Sequence, residues 1–302
     1  MKKPFTRAEL DQAMQGLSYR VAEDERLAPY TTLRIGGPCP YMIFPKDEEA
    51  LARAAAFLRE RRVPWRVLGG GTNLLVHDEG TEDVVLNVRE LEETLCTKDT
   101  RPEASAGWRM SKLAHAFAEK NLTGFEFAVG IPGSLGGAVC MNAGAFGRET
   151  KDVVEGVYAL GREGNPYWLE RGECEFGYRT SRFRQSGEVV LRARFSLERG
   201  EREAIFAAMR EHQESRNRTQ PVASQCAGCI FQNPPGDSAG RIIDALGFKG
   251  MRAGGASVST LHANYIVSDG ATAQDVLSLV DAIKRTVREK QGVTLQEEIV
   301  VW

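Results

Sequence analysis

Strand-helix alternation near the start, a run of short strands in the middle and a loop-strand-helix pattern at the end predict an α+β protein of more than one domain. Residues 41–45 form an apolar strand closed by proline. A helix over 48–61 and a second apolar run, Trp65–Leu68, follow, and together they make a strand-helix-strand unit. Between residues 151 and 197 the pattern shifts to short strands at 153–160, 166–169 and 189–197, which reads as an antiparallel sheet. Arg199-Gly200-Glu201 then marks a boundary by its turn and charge character, and the last hundred or so residues have an α+β character of their own.

Each element has a local cause. Thr6-Arg7-Ala8-Glu9 is a capping box opening an amphipathic helix with Leu10, Met14 and Leu17 on one face. Residues 31–37 lead into the first apolar strand, and Asp47 caps the helix after it, where Leu51, Ala54, Ala55 and Leu58 repeat at helical spacing. Residues 83–88 read as a buried strand. Ser111 is expected to cap a helix reaching Lys120, with Leu113, Ala114 and Phe117 inward. Beyond the boundary a polar helix is expected over 202–213, ended by Arg216-Asn217-Arg218-Thr219-Gln220-Pro221. A helix at 238–246, a strand at 264–267 and a helix at 272–290, capped by Thr272 and stopped by Gly292, complete the chain.

A chain of 302 residues is long enough for two or three domains, and its net charge of -2 gives no electrostatic footprint for nucleic acid or an anionic membrane. No apolar run approaches the roughly 18 residues of a spanning helix, and no signal-peptide core follows the first residues. A cytoplasmic protein with neither nucleic-acid nor membrane partners is expected. Cys39, Cys96, Cys140, Cys174, Cys226 and Cys229 are scattered in a chain too large to need disulfide staples, so thiols are expected. Cys226 and Cys229 have C-x-x-C spacing, but no second pair follows and the four histidines do not cluster near them, so no metal is expected.

Two glycine-rich stretches stand apart. Residues 130–147 carry glycine at 130, 133, 136, 137, 144 and 147 and proline at 132, a composition that argues against a helix or central strand. Such a stretch exposes backbone N–H groups with no Cβ in the way, a concavity suited to phosphate oxygens, whereas a structural turn needs two glycines. Upstream, Leu68-Gly69-Gly70-Gly71-Thr72-Asn73-Leu74-Leu75-Val76 ends a strand in three glycines and two short polar side chains. No Gly-Lys-Ser or Gly-Lys-Thr follows either stretch, and neither has the spacing and following helix of the dinucleotide fingerprint. The ligand expected is a dinucleotide held in another way.

These two stretches, with Tyr30-Thr31-Thr32-Leu33-Arg34-Ile35-Gly36-Gly37, resemble the UDP-N-acetylenolpyruvoylglucosamine reductase family, flavoenzymes that make UDP-N-acetylmuramate for peptidoglycan synthesis. The resemblance runs from about Tyr30 to the C-terminus. It implies FAD and NADPH, a two-lobed FAD-binding domain of the vanillyl-alcohol-oxidase type and a separate C-terminal α/β substrate domain. On that basis residues 1–66 and 67–200 are the two lobes and residues 201–302 the substrate domain. FAD would lie on Gly69, Gly70, Gly71, Thr72, Asn73 and Leu74, and on Gly130, Ile131, Ser134, Gly136, Gly137, Asn142 and Gly144.

The resemblance also implies the residues that act. Arg179 matches the family's Tyr-Arg pair, and its planar, always-charged fork suits a carboxylate and a developing enolate oxygen. Arg182 and Arg184 read equally as a solvated face. Arg216, Gln220 and Pro221, then Gly228-Cys229-Ile230-Phe231-Gln232-Asn233-Pro234, resemble the family's Arg-x-x-x-Gln-Pro and Gly-Ser-x-Phe-Lys-Asn-Pro signatures. Cys229 stands where the family usually has serine and would protonate C2. A thiol of ordinary pKa, ~8.5, stays protonated at neutral pH yet is a far stronger acid than a hydroxyl. Gln232 stands where lysine is common, which removes a cation near the substrate diphosphate, and Phe146 replaces a frequent tyrosine.

Tyr178, Arg216, Gln220, Asn233, Lys249, Ser257, Ser259 and Asn264 are implied to bind the nucleotide sugar, and His262 reads as packed. Glu298 takes the position of the family's catalytic glutamate. Strand alternation sends Glu297 to the opposite face. The implied reaction passes hydride from N5 of NADPH-reduced FAD to C3 of the enolpyruvyl ether, followed by protonation at C2. Two rivals are an alcohol oxidase of the same flavin fold and a non-enzymatic module that binds a nucleotide sugar or is stabilised by zinc at Cys226 and Cys229. A monomer or weak oligomer is expected.

Overall fold

The computed structural model describes residues 2–302 and confirms the α+β class, in two compact units that are each discontinuous in sequence. The first comprises the chain up to Asp24 with Pro40–Gly70 and Glu82–Glu214; the second comprises Glu25–Cys39, Gly71–Thr81 and Ser215–Trp302.

The first unit has two apolar cores. One is built on a four-stranded sheet of order Tyr19–Arg26, Pro38–Pro45, Val84–Asn87 and Trp65–Leu68, in which Val84–Asn87 runs parallel to both Pro38–Pro45 and Trp65–Leu68. Helix α1 (Arg7–Ala13) begins where the Thr6 hydroxyl accepts from Glu9 N–H at 3.3 Å and the Glu9 carboxylate accepts from Thr6 N–H at 2.7 Å, closing the expected capping box. Helix α2 (Glu48–Glu60) is capped by Asp47, which accepts from Ala50 N–H at 2.7 Å. Leu10, Leu51, Ala54, Ala55 and Leu58 close over Tyr41, Ile43, Val84 and Leu86. The strand Tyr19–Arg26 is absent from the sequence expectations because its charged residues mask any apolar alternation; such charge is what an edge strand carries.

The second core lies on a five-stranded antiparallel sheet of order Pro166–Glu170, Val154–Leu160, Val189–Phe195, Arg101–Ser105 and Leu95–Lys98. The last two strands form a hairpin that the sequence did not announce. Helix α3 (Met110–Glu119) follows Arg109 without a side-chain cap, so Ser111 lies inside the helix and is not its cap. The bond from Met110 N–H to the Gly133 carbonyl, 3.1 Å, satisfies one of the donors a cap would serve.

Helix α4 (Leu135–Met141) corrects the expectation that the glycine-rich stretch contains no helix. Ser134 caps it, accepting from Gly137 N–H at 3.3 Å, while Leu135 and Gly136 donate to the carbonyls of Trp108 and Ala106. A Cβ on Gly136 would lie 3.0 Å from that of Ala106, so this glycine lets the helix approach the neighbouring chain closely. Helix α5 (Arg202–Thr219) is longer than 202–213 and includes Arg216, Asn217, Arg218 and Thr219; Pro221 restricts Gln220 and ends it. Among the rings of this core, Phe125 meets Phe117, Phe127 and Phe195 at 5.2, 5.5 and 5.4 Å in edge contacts.

The second unit has a three-stranded antiparallel sheet, Arg252–Ala253, Ala256–Val258 and Ile266–Ser268, with helices α6 (Ala239–Ala245) and α7 (Ala273–Gln291). The strand expected at 264–267 starts at Ile266 because Asn264 and Tyr265 serve a turn: Tyr265 N–H donates to the His262 carbonyl. Thr272 and Asp275 form a capping box on α7, and Gly292, at φ +68°, stops it as expected. Val300–Val301 pairs in parallel with Leu74–Leu75. Leu33, Ile35 and Leu75 are buried with Phe231, Val258, Leu279 and Ile299, so two short early segments complete a core made mostly of late residues. No helix among the described residues is long and apolar enough to cross a membrane, and none of the six cysteines is in a disulfide.

Phe125 is 1% exposed. Its replacement by alanine is expected to destabilise the first unit by about 3–5 kcal/mol, read as a lower urea midpoint for loss of near-ultraviolet circular dichroism. A loss below ~1 kcal/mol would show that the aromatic cluster is not the centre of this core.

Candidate active site

Two turns in the first unit adjoin. A Cβ on Gly69 would fall 2.4 Å from Ser134 Oγ, so the carboxyl end of strand Trp65–Leu68 touches the start of α4. The Arg89 guanidinium donates to the carbonyls of Gly69, 3.2 Å, and Gly70, 2.7 Å. In a trans peptide the carbonyl and the next N–H point opposite ways, so the N–H groups of residues 70 and 71 are directed away from Arg89. Gly133 sits at φ +109°, in a region open to glycine, and a Cβ on Gly137 would meet only Ser134 Oγ, at 3.4 Å. Gly130 and Ile131 follow a 3-10 turn, with Ile131 N–H bonded to the Ala128 carbonyl. A turn with no room for a side chain at Gly69, with the N–H groups of residues 70 and 71 turned away from Arg89 and the start of α4 beside it, fits the pyrophosphate of a dinucleotide such as FAD.

Not every glycine serves that purpose. A Cβ on Gly144 would lie 2.5 Å from the Arg148 carbonyl, which accounts for this glycine by its tight strand pair, and Gly136 is accounted for by Ala106. Asn142 also departs from expectation. It is fully buried, its amide donates to the Glu149 carboxylate, 3.0 Å, and the Gly177 carbonyl, 2.8 Å, and it accepts from Lys151 N–H, 2.9 Å. Its polar atoms are engaged inside the protein, where they hold the turn that carries Arg179.

That turn is narrow: Gly177 and Thr180 exchange backbone hydrogen bonds, with Tyr178 and Arg179 at its tip. Arg179 adopts φ +55°, a conformation that costs a non-glycine residue about 1 kcal/mol or more. Its guanidinium donates to the Gly144 carbonyl at 3.3 Å, pairs with Glu149 at 3.5 Å and lies 5.0 Å from the Tyr178 ring centre. Tyr178 is exposed. Arg182 and Arg184 instead brace the region, Arg182 on the buried Glu188 and Arg184 on the Arg179 carbonyl.

In the second unit, Gly71 sits at φ +63°, where a Cβ would strike the Tyr30 carbonyl at 2.0 Å. The Asn73 amide donates to the Glu298 carbonyl at 2.9 Å, and Leu74 is buried opposite Val300. Cys229 follows Gly228, at φ +75°, and precedes Ile230, whose N–H donates to the Asn264 carbonyl at 2.9 Å. The Ile230 carbonyl accepts from Glu298 N–H at 2.8 Å. Glu297 pairs with Lys284 at 2.7 Å.

Asn264 was expected to meet substrate but is buried, and its side chain both accepts from Phe231 N–H, 2.9 Å, and donates to the Phe231 carbonyl, 2.8 Å. It acts as a strand partner made from one side chain. Other expected ligands likewise have partners in the protein. Ser259 Oγ accepts from Leu261 and His262 N–H, Asn233 accepts from Ala239 N–H at the start of α6, and Lys249 pairs with Asp244 at 2.7 Å. Ser257 is half-buried in its strand. His262 is packed, as read, and burial lowers its pKa, with the Lys249 charge adding to the effect.

The Tyr265 hydroxyl donates to Gln220 Oε1 at 2.9 Å, and Cys229 is among the groups that act on the phenol. Burial pushes this phenol far above its ordinary range, and the neighbouring Cys229 adds to the effect. The nearby Arg216 charge opposes it. Arg216 Nε is buried with no hydrogen-bond partner among the described residues. A buried, unsatisfied donor on a cation marks a place for an anionic group. Burial also raises the Cys226 thiol, whose Sγ lies 3.7 Å from the Pro221 carbonyl. Among the described residues no three histidines, cysteines or acids form a metal-binding group. Arg89, Glu149 and Tyr265 were not anticipated; only the place of Arg89, two residues beyond a strand end, gave a local signal.

Residues 39–170 match the family model described as an FAD binding domain, and residues 220–302 match the one described as UDP-N-acetylenolpyruvoylglucosamine reductase, C-terminal domain. The reductase of that name from Anoxybacillus flavithermus is 41% identical over 297 residues, which cover 98% of this chain and 97% of that protein. The chain belongs to the UDP-N-acetylenolpyruvoylglucosamine reductase family. A second reductase, from Caldanaerobacter subterraneus, is 42% identical over 279 residues, 92% of each chain. The crystal structure of the reductase from Thermus caldophilus aligns with a TM-score of 0.79 at 37% identity, covering 95% of this chain and 99% of that one. An alkyldihydroxyacetonephosphate synthase structure, 12% identical, aligns with a TM-score of 0.50 over 66% of this chain and 42% of that one, which reflects shared fold alone. The protein is thus an FAD-containing oxidoreductase with a distinct C-terminal domain.

Gly69→Val is expected to yield a folded protein that binds flavin at least ~10-fold more weakly, a difference of about 1.4 kcal/mol. Relief of the clash would turn Ser134 off its cap on α4. The ratio of 450 nm to 280 nm absorbance after gel filtration reads the effect; wild-type flavin content would refute the role given to this turn.

Proposed function

We propose that this protein uses NADPH to reduce UDP-N-acetylglucosamine enolpyruvate to UDP-N-acetylmuramate in the cytoplasm, as a monomer or weak oligomer. The observation that carries this is identity near 41% with reductases of that name over almost the full length of both chains. The flavin lobes are residues 1–66 and 67–200, with Val84, Leu86 and Val88 of the second packing in the core of the first, and the substrate domain is residues 201–302, joined in its core by Leu33, Ile35 and Leu75. The alcohol-oxidase and zinc-module readings have no comparable support.

The turn at Gly69, Gly70 and Gly71 beside Ser134 would hold FAD, which when reduced by NADPH would supply a hydride for C3 of the enolpyruvyl group. Arg179 presents its fork to the substrate carboxylate and to the charge that develops on it. Glu149, the Gly144 carbonyl and the strained turn hold this guanidinium in place, so the transition state need not organise it. Cys229 gives its thiol proton to C2. Glu298, whose N–H is bonded beside Cys229, stabilises the same charge through a protonated carboxyl or a bridging water. Arg216, whose buried Nε has no partner among the described residues, takes the substrate diphosphate, a role that Gln232 cannot fill by charge.

Anaerobic NADPH should bleach the flavin, and the enolpyruvyl substrate should restore its absorbance; reoxidation by oxygen but not by substrate would favour the alcohol oxidase. Arg179→Lys should leave flavin reduction near normal and slow reoxidation by substrate ~100-fold, the scale of losing one preorganised donor. Equal slowing of both half-reactions would assign Arg179 to structure. Cys229→Ala should cripple reoxidation alone while Cys229→Ser retains much of it, and a wild-type rate in the alanine variant would remove Cys229 from the chemistry.

A further inference from the structure

We infer that Tyr265 is a positioning residue for the protonation step: it orients the Cys229 thiol and then donates a hydrogen bond to the thiolate that remains. This rests on Cys229 being the proton donor. The supporting geometry lies within the second unit. The Tyr265 hydroxyl donates to Gln220 Oε1 at 2.9 Å, and the 2.9 Å bond from Ile230 N–H to the Asn264 carbonyl brings Cys229 and Tyr265, the residues next to it on either chain segment, side by side. The two residues are held together by backbone, because Ile230 N–H bonds the Asn264 carbonyl and the Asn264 side chain grips both polar groups of Phe231. Tyr265 is 5% exposed, and its ring packs at 4.9 Å on His262 in an edge contact, so little water reaches this side chain.

A phenol oxygen has one proton to donate and lone pairs to accept with. At rest the proton goes to Gln220, and the oxygen is available to the S–H of Cys229. In the chemical step the S–H bond breaks and a C2–H bond forms; the S–H electron pair stays on sulfur, and solvent later returns the proton. The thiolate is a stronger acceptor than a neutral amide oxygen, so rotation about the phenolic C–O bond moves the donor from Gln220 to sulfur. Tyr265 does not pass on its own proton. Burial keeps the phenol neutral, and the other charged or titratable groups facing it are Arg216, Cys226 and Cys229, with His262 against the ring. Of these, Arg216 alone favours a tyrosinate.

The test uses flavin-loaded enzyme carrying Cys226→Ala, with and without Tyr265→Phe, a change that keeps the ring. Alkylation of Cys229 by iodoacetamide is followed against pH by peptide mass spectrometry. Loss of a donor to the thiolate should move the midpoint upward by about one pH unit, a ~10-fold slower reaction below it. Single-turnover reoxidation by substrate should slow ~10-fold, with NADPH reduction of the flavin unchanged. Flavin absorbance and melting temperature near those of the parent establish that the variant is folded. In a Cys229→Ala background Tyr265→Phe should add no further slowing, because the two residues act as one unit. An unmoved alkylation midpoint, or full additivity with Cys229→Ala, overturns the proposal. A wild-type reoxidation rate in Cys229→Ala alone overturns the proton-donor assignment, and a shifted midpoint would still uphold the hydrogen bond.

Discussion

The turn at Gly69 in the first unit depends on a distance that no side chain can share. Position 69 must be glycine because Ser134 Oγ occupies the space of a Cβ, and Ser134 cannot turn aside without uncapping α4. That helix is held in its turn by Gly136 against Ala106 and by bonds to the carbonyls of Ala106 and Trp108. A cap of this kind contributes about 1 kcal/mol. Arg89 completes the arrangement by fixing the two carbonyls whose peptide planes set the direction of the donors. Strand end, helix start and loop are therefore one mechanical unit, and the turn inherits the rigidity of the cores beneath it.

A second device recurs at the two side chains proposed to act on substrate. Arg179 and Cys229 both lie on irregular backbone, and in each case a buried asparagine supplies the hydrogen bonds that a neighbouring strand would otherwise give. Asn142 joins Gly177, Glu149 and Lys151; Asn264 pairs with both polar groups of Phe231. Because each amide is buried, its removal would strand backbone groups at about 1–3 kcal/mol apiece. Irregular loops are thereby made as stiff as sheet.

What could be read from the sequence was what is caused locally. The caps at Thr6, Asp47 and Thr272 stand where read because cap and helix are neighbours along the chain. The glycine stretches, the Tyr-Arg pair and the Cys229 segment identified the family. The misses have distant causes. Helix α4 tolerates its glycines because Ala106 lies against them, α3 starts without a cap because Gly133 serves Met110, and the edge strand Tyr19–Arg26 hides its pairing behind surface charge. Asn142 and Asn264 looked like ligand donors because an amide near a motif has the same appearance whether it faces substrate or a carbonyl some 35 residues away. Tyr265 carried no signal, since its partners, Gln220 and Cys229, are separated from it by long stretches of chain.

The discontinuous second unit has a consequence for how the protein is made. Its core needs Leu33, Ile35 and Leu75, yet the strand that pairs with Leu74–Leu75 is Val300–Val301. At ribosomal rates of roughly 5–20 residues per second, the interval between synthesis of the two partners is on the order of 10 to 50 seconds. The first unit ends at Glu214, so it can condense while the nascent chain still grows. For that period the two early segments remain as apolar orphans on the newborn protein, and a holding chaperone has a defined sequence to grip until translation ends.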